Sequence, residues 1–213
     1  DTLIGYPKFL IVDSYVDYFL INETFRNVDS YRLSAFMYKD RDSRNAKMFM
    51  GPVWDYNISM GNGNYYDVEI TSGWQFEFFE TDYEFLNNDQ WVVPFWWRKL
   101  FHHQQFADKV NFRWSGLKNT VFNSSHVNHY IDSLVAYLNE SQVRNFEKWP
   151  VLGVWIWPNS FVGQTYTQEI NYLKQWLSNR FTWLNQHMIG NPTDIDEVNP
   201  LPADFKLEQN FPN

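Results

Sequence analysis

The stretch "YRLSAFMYKDRDSRNAKMFMGPVWDYN", residues 31–57, decides how this chain is read. Two runs rich in aromatic and apolar residues flank the polar segment "RDSRNA", the pattern of strand, turn and strand. The turn is centred near Asp42 and Ser43. In an antiparallel pair, residues equally far from the centre face one another, so Asp29 before the first strand is expected opposite Asp55 after the second. Gly51 and Pro52 shape the second strand and Trp54 is expected to pack inward. Like charges held close raise each other's pKa unless a cation or a shared proton compensates, and a divalent metal is the usual remedy. The pattern leaves open that each aspartate caps a turn of its own.

Upstream, "DSYVDYFLINETFRN" (13–27) carries Val16, Phe19, Leu20 and Glu23 at helical spacing, with Asp13 or Ser14 placed to cap the first turn. Glu23 and Asn27 are one turn apart and can meet the hairpin ends from one side. Downstream, residues 58–91 have no clear period and read as a long excursion, with "GNGN" (61–64) as a turn. Helices are predicted over 91–102, 105–119, 125–149 with a possible break, and 165–188, separated by an extended crossing at 150–163. The fold class is therefore α+β and mainly helical. From Asn191 the character changes to a proline-rich linker and tail, so the domain is placed at 1–190 and the tail at 191–213.

Composition narrows the function. A formal charge of −8 with no Lys/Arg cluster argues against nucleic acid or an anionic membrane as the main partner. The absence of cysteine removes disulfides, thiolate zinc sites and a cysteine nucleophile. No apolar run approaches the ~20 residues that span a bilayer. HExxH, GxSxG and a zinc-type His cluster are missing, and His102 with His103 reads as a solvated helix end. Eleven tryptophans and nineteen phenylalanines imply a core stapled by large flat side chains, with some expected to line a surface groove and core the commoner place for them.

The segment "FLINETFRNVDSYRLSAFMYKDRDSRNAKMFMGPVWDYNISMGN" (19–62) resembles the central signature of the spore coat protein H (CotH) family. An Asn-x-Asp-Ser-Tyr step, a Tyr-Lys-Asp turn and a Gly-Pro-x-Trp-Asp step follow in that order. The resemblance continues more loosely to about residue 188. It implies the C-terminal lobe of a kinase-like fold, and an atypical secreted kinase that moves phosphate from ATP to a Ser or Thr hydroxyl with Mg²⁺ or Mn²⁺. Asp29 would then stand at the catalytic aspartate and Asp55 at the metal-binding aspartate, with Asn57 as a further metal or phosphate contact where many relatives carry Asp. Glu23 and Asn27 would support the pair. About a dozen residues precede the first helix and Lys8 cannot stand for a lobe, so the chain is expected to be a trimmed fragment without the smaller N-terminal lobe, which becomes a partner beside the protein substrate. "FKLEQNFPN" (205–213) resembles the opening of a type IX (Por) sorting tail of Bacteroidetes-like bacteria, implying a secreted or cell-surface protein. The other reading is a non-catalytic surface or adhesion protein that binds carbohydrate or protein through exposed aromatics such as Trp74, Trp155 and Trp157.

Overall fold

The computed structural model describes residues 5–77 and 93–190. Its centre is α1 (Val12–Phe25), which buries Tyr15, Val16, Tyr18, Phe19, Leu20, Asn22, Glu23 and Thr24. A helix apolar around most of its circumference has to be surrounded, and α1 is: α2 (Phe95–Phe101), α3 (Gln104–Leu117) and α6 (Tyr166–His187) lie around it. Rings fill the space between them. Phe19 sits 4.9 Å from Phe101, Phe101 is 4.5 Å from Phe76, and fully buried Trp97 stacks on Tyr18. Surface ion pairs Arg113–Asp17 and Lys109–Asp13 tie α3 to the exposed flank of α1.

The chain between α3 and α6 holds α4 (Ser124–Tyr137) and α5 (Asn139–Lys148), with the expected break at Leu138. Asn123 caps α4 by accepting from Ser125 N–H at 2.9 Å, and Thr165 caps α6 by accepting from Gln168 N–H. α5 buries none of its residues and lies against α4. The segment 150–163 is a chain of turns rather than an extended crossing.

The hairpin is real but short: β1 (Met37–Lys39) and β2 (Met48–Met50) pair antiparallel, with Met37 opposite Met50 and Lys39 opposite Met48. This register centres the turn between Ser43 and Arg44, and it would set Asp55 opposite Arg32 rather than Asp29. The other edge of β2 is occupied as well. Met48 N–H donates to Phe9 and Met48 C=O accepts from Ile11, so residues 9–11 run beside it. Ser14, expected as a cap, instead accepts from Met50 N–H at 3.0 Å and fastens the hairpin to α1.

Two further expectations are corrected. α1 ends at Phe25, not Asn27, because Arg26 turns into the left-handed region at φ 45. That is unusual for a side chain of this size; its guanidinium is clamped on the carbonyls of Ser72 and Gly73, which holds it there. Trp54 does not pack inward: it is 62% exposed.

Candidate active site

The turn that follows α1 carries Asp29. Its carbonyl accepts from the N–H groups of Arg32, Leu33 and Ser34 at 3.2, 3.0 and 3.2 Å, and Asn27 C=O accepts from Ser30 N–H. Three phenols, Tyr18 and Tyr31 buried and Tyr56 half-buried, support the turn and its surroundings from the α1 side. Tyr18 donates to Ser30 C=O, Tyr31 donates to Glu23 at 2.8 Å, and Tyr56 donates to Asn22 at 2.6 Å. Burial pushes all three hydroxyls well above the ordinary tyrosine range, so they stay protonated donors at neutral pH.

Asn27 brings the two aspartates together. Its amide nitrogen donates to Asp55 C=O at 3.0 Å while its amide oxygen accepts from Asp29 N–H at 3.2 Å. Asn27 is 1% exposed, so the side chain that makes this bridge is itself buried. The hairpin delivers the two chain ends, and a single buried amide ties their backbones.

Asp29 is part-buried, with its carboxylate 3.6 Å from Arg32. Burial raises its pKa; Arg32 opposes that rise, and the charge of Asp55 adds to it. Asp55 is exposed and sits in the left-handed region at φ 63. The hydroxyl of Ser34 lies 3.5 Å from its Oδ2. Asn57 is exposed two residues on; its backbone carbonyl accepts from Asn62 at 2.8 Å, and it forms part of the wall of a cavity of about 310 Å³. Arg32 also covers the ring of Tyr66 at 4.6 Å, which brings the 64–68 segment to the rim.

Glu23 faces away from this pair. It lies in the core, accepting from Tyr31, from Gln75 N–H at 2.7 Å and from Phe76 N–H at 3.0 Å, and pairing with Arg180 at 3.4 Å. Burial raises Glu23 and lowers Arg180 against their mutual attraction. Arg180 also donates to Glu23 C=O, Thr71 C=O and Gly73 C=O. Glu23 therefore reaches the Asp29 turn only by way of Tyr31.

Sequence reasoning missed Ser34, Arg32 and Arg180. Arg180 had a signal: one arginine among Trp176, Leu177, Phe181 and Leu184 on the inward face of a helix requires a buried partner. Of the aromatics expected at the surface, Trp155 and Trp157 are exposed, whereas Trp74 packs among Phe19, Phe101 and Trp183.

Among the described residues no group of three or more His, Asp or Glu side chains comes together. Mg²⁺ does not require one. It is held by one or two carboxylates, waters and substrate phosphates, and an exposed Asp55 with a hydroxyl beside it and Asp29 near by is a donor set of that kind. No helix is long and apolar enough to cross a membrane among the described residues. A family model described as CotH kinase protein matches residues 4–184. No curated protein matches the chain, and no solved structure does.

Proposed function

The chain belongs to the CotH kinase protein family, and we propose that it is the carboxylate-bearing lobe of a phosphotransferase that moves phosphate from ATP to a Ser or Thr hydroxyl. The observation that supports this reading best is the Asn27 bridge, which couples Asp29 and Asp55 through one buried side chain. Phosphoryl transfer asks little covalent chemistry of the protein and much positioning, so a rigid spacing between two carboxylates is what the reaction needs.

Asp29 would align the acceptor hydroxyl and take its proton as the new O–P bond forms and the β,γ-bridging bond breaks, releasing ADP. Its raised pKa makes it a better base than an ordinary carboxylate. Arg32 keeps that rise within bounds. Asp55 and Asn57 would hold Mg²⁺ or Mn²⁺, with Ser34 orienting Asp55; when bound, the ion supplies charge neutralisation at the phosphates. The smaller nucleotide-covering lobe would seat on the exposed Phe36, Met37, Val53 and Trp54 beside the site. We place the protein outside the cell on the strength of "FKLEQNFPN", which lies outside the described residues.

The test is transfer of labelled phosphate from ATP to a Ser-containing protein, by the wild-type chain joined to its nucleotide-covering lobe and by its Asp29→Ala and Asp55→Ala variants. Transfer that survives both substitutions sinks the assignment. One observation favours a second reading, a non-catalytic binder: Trp155 and Trp157 are 56% and 65% exposed. Binding to a carbohydrate or protein that is lost in Trp155→Ala and Trp157→Ala, with no transfer under any condition, would establish it.

The electrostatics give a separate expected result. Removing the Asp55 charge in Asp55→Asn lowers the Asp29 pKa, and removing the cation in Arg32→Met raises it further, as read by carboxyl carbon NMR titration. A carboxyl whose pKa is higher folded than unfolded binds more protons in the native state. Its ionisation therefore costs stability as pH rises through that window, and nothing is lost below the unfolded value. Asp29→Asn is accordingly expected to raise Tm at neutral pH, with the gain vanishing in acid below the ordinary carboxylate range.

A further inference from the structure

The cavity beside Asn57 and the loop that borders it continue the candidate site on the side of α6. Its walls come from residues 56–62 on one side and from Phe161, Ile170 and Leu173 on the other. The volume of about 310 Å³ is at the small end for a ligand pocket and suits a single bulky side chain. Apart from Asn57, the polar side chains on the wall are engaged within the protein: Tyr56 with Asn22, Ser59 with Tyr56 C=O, Asn62 with Asn57 C=O, Glu169 with Gly163 N–H, Tyr172 with Gly61 C=O. A sugar subsite needs several free groups turned inward, and most of those here are already taken; the apolar wall left between them, from Met60, Phe161, Ile170 and Leu173, suits an apolar side chain.

The cavity is also rigid. Gly61, at φ 83, presses so closely on α6 that a Cβ would come within 2.5 Å of Trp176, and its carbonyl takes hydrogen bonds from Tyr172 and Ser160. The loop that supplies Phe161, "WPVLGVWIWPNSFVG" (149–163), contains no charged residue in a chain of charge −8. It closes on itself through Gly153 N–H to Gly163 C=O and presents exposed Trp155 and Trp157. Trp157 stacks on Tyr65 at 5.8 Å, and Tyr65 lies close enough to Asp29 for that carboxylate to help burial raise its hydroxyl. An acceptor reaching Asp29 from this side therefore crosses the Trp157–Tyr65 stack, passes Arg32 over Tyr66, and meets the cavity next to Asn57.

From these observations we infer that the acceptor is a polypeptide whose hydroxyl-bearing residue is flanked by a bulky apolar residue, which enters the cavity while the chain lies across Trp157. The inference rests on the phosphotransferase reading, since it takes the occupant to be the acceptor. Ile170 and Leu173 are then specificity-determining residues, and Trp157 is a general contact.

Two fluorescein-labelled serine peptides, identical except for leucine or alanine beside the serine, test it by anisotropy without nucleotide and, with the chain joined to its nucleotide-covering lobe as above, by transfer rate with MgATP. The leucine peptide is expected to bind about tenfold more tightly, the value of burying one branched side chain. Ile170→Trp, which fills the cavity, is expected to make the two peptides equal. Trp157→Ala, a surface change that leaves the core intact, is expected to weaken both about tenfold. Equal binding of the two peptides to the wild type overturns the inference, as does a leucine preference that survives Ile170→Trp in a protein with wild-type melting, or affinity for a neutral oligosaccharide in place of either peptide. Should Ile170→Trp fail to fold, unchanged binding in Trp157→Ala overturns it. Transfer that ignores the flanking residue defeats this inference and leaves the reaction standing; a leucine preference in binding with no transfer at all upholds the site and defeats the reaction.

Discussion

Asp55→Asn is expected to reduce phosphoryl transfer from MgATP on the order of 10³-fold while leaving the melting temperature nearly where it was. The magnitude follows from removing the carboxylate proposed to hold the divalent ion that neutralises the phosphates, the class of contribution that dominates this chemistry. Asparagine is the informative replacement because Asp55 lies in the left-handed region at φ 63, which asparagine tolerates and alanine does not. Asp55→Ala carries a backbone cost of about 1–2 kcal/mol as well, so its loss of activity mixes charge with geometry. The Asn27 bridge reaches the Asp55 carbonyl, not its side chain, so it survives the change. Steady-state rates with saturating acceptor, alongside a thermal melt, check both halves; a drop of less than tenfold removes Asp55 from the metal-holding role.

The second large effect is on stability. Glu23→Ala is expected to cost about 3–5 kcal/mol, the usual consequence of breaking a buried ion pair from one side. For a chain of this length that corresponds to a fall in Tm on the order of 10 °C. The carboxylate serves four donors at once, and its loss would orphan Gln75 N–H, Phe76 N–H and the Tyr31 hydroxyl and leave the Arg180 guanidinium without its counter-charge in a region from which water is excluded. Arg180→Met is milder, because Glu23 keeps three of its partners. Differential scanning calorimetry on the two variants should rank them in that order. The reverse ranking would show that Arg180, through its bonds to Thr71 and Gly73, is the more important end.

Most helices were legible because they carry apolar residues at helical spacing that pack against the core, and the possible break in the 125–149 run falls at Leu138, between α4 and α5. The hairpin was legible in place but not in length. Its ladder stops at Met37 because the chain before it is committed to the turn that carries Asp29, whose carbonyl gathers three N–H groups. Asp29 and Asp55 were paired by reasoning from a register the strands do not have; what joins them is Asn27, and no local pattern announces a bridge of that kind. Likewise α1 stops at Phe25 on account of carbonyls near residue 72, far along the chain. Trp54 and Trp74 exchanged expected places, since a tryptophan's surroundings depend on what other segments bring to it.

The strip formed by residues 9–11 along β2 has a consequence for where the chain can be cut. A chain beginning after Ile11 would keep every helix and both candidate carboxylates, yet it would bare the hydrogen-bonding edge of β2 beside the exposed Phe36, Met37 and Tyr38. An open edge next to apolar side chains is a template for pairing between copies. The few residues ahead of α1 therefore act as a sealing strip, and their removal is expected to show first as self-association rather than as unfolding.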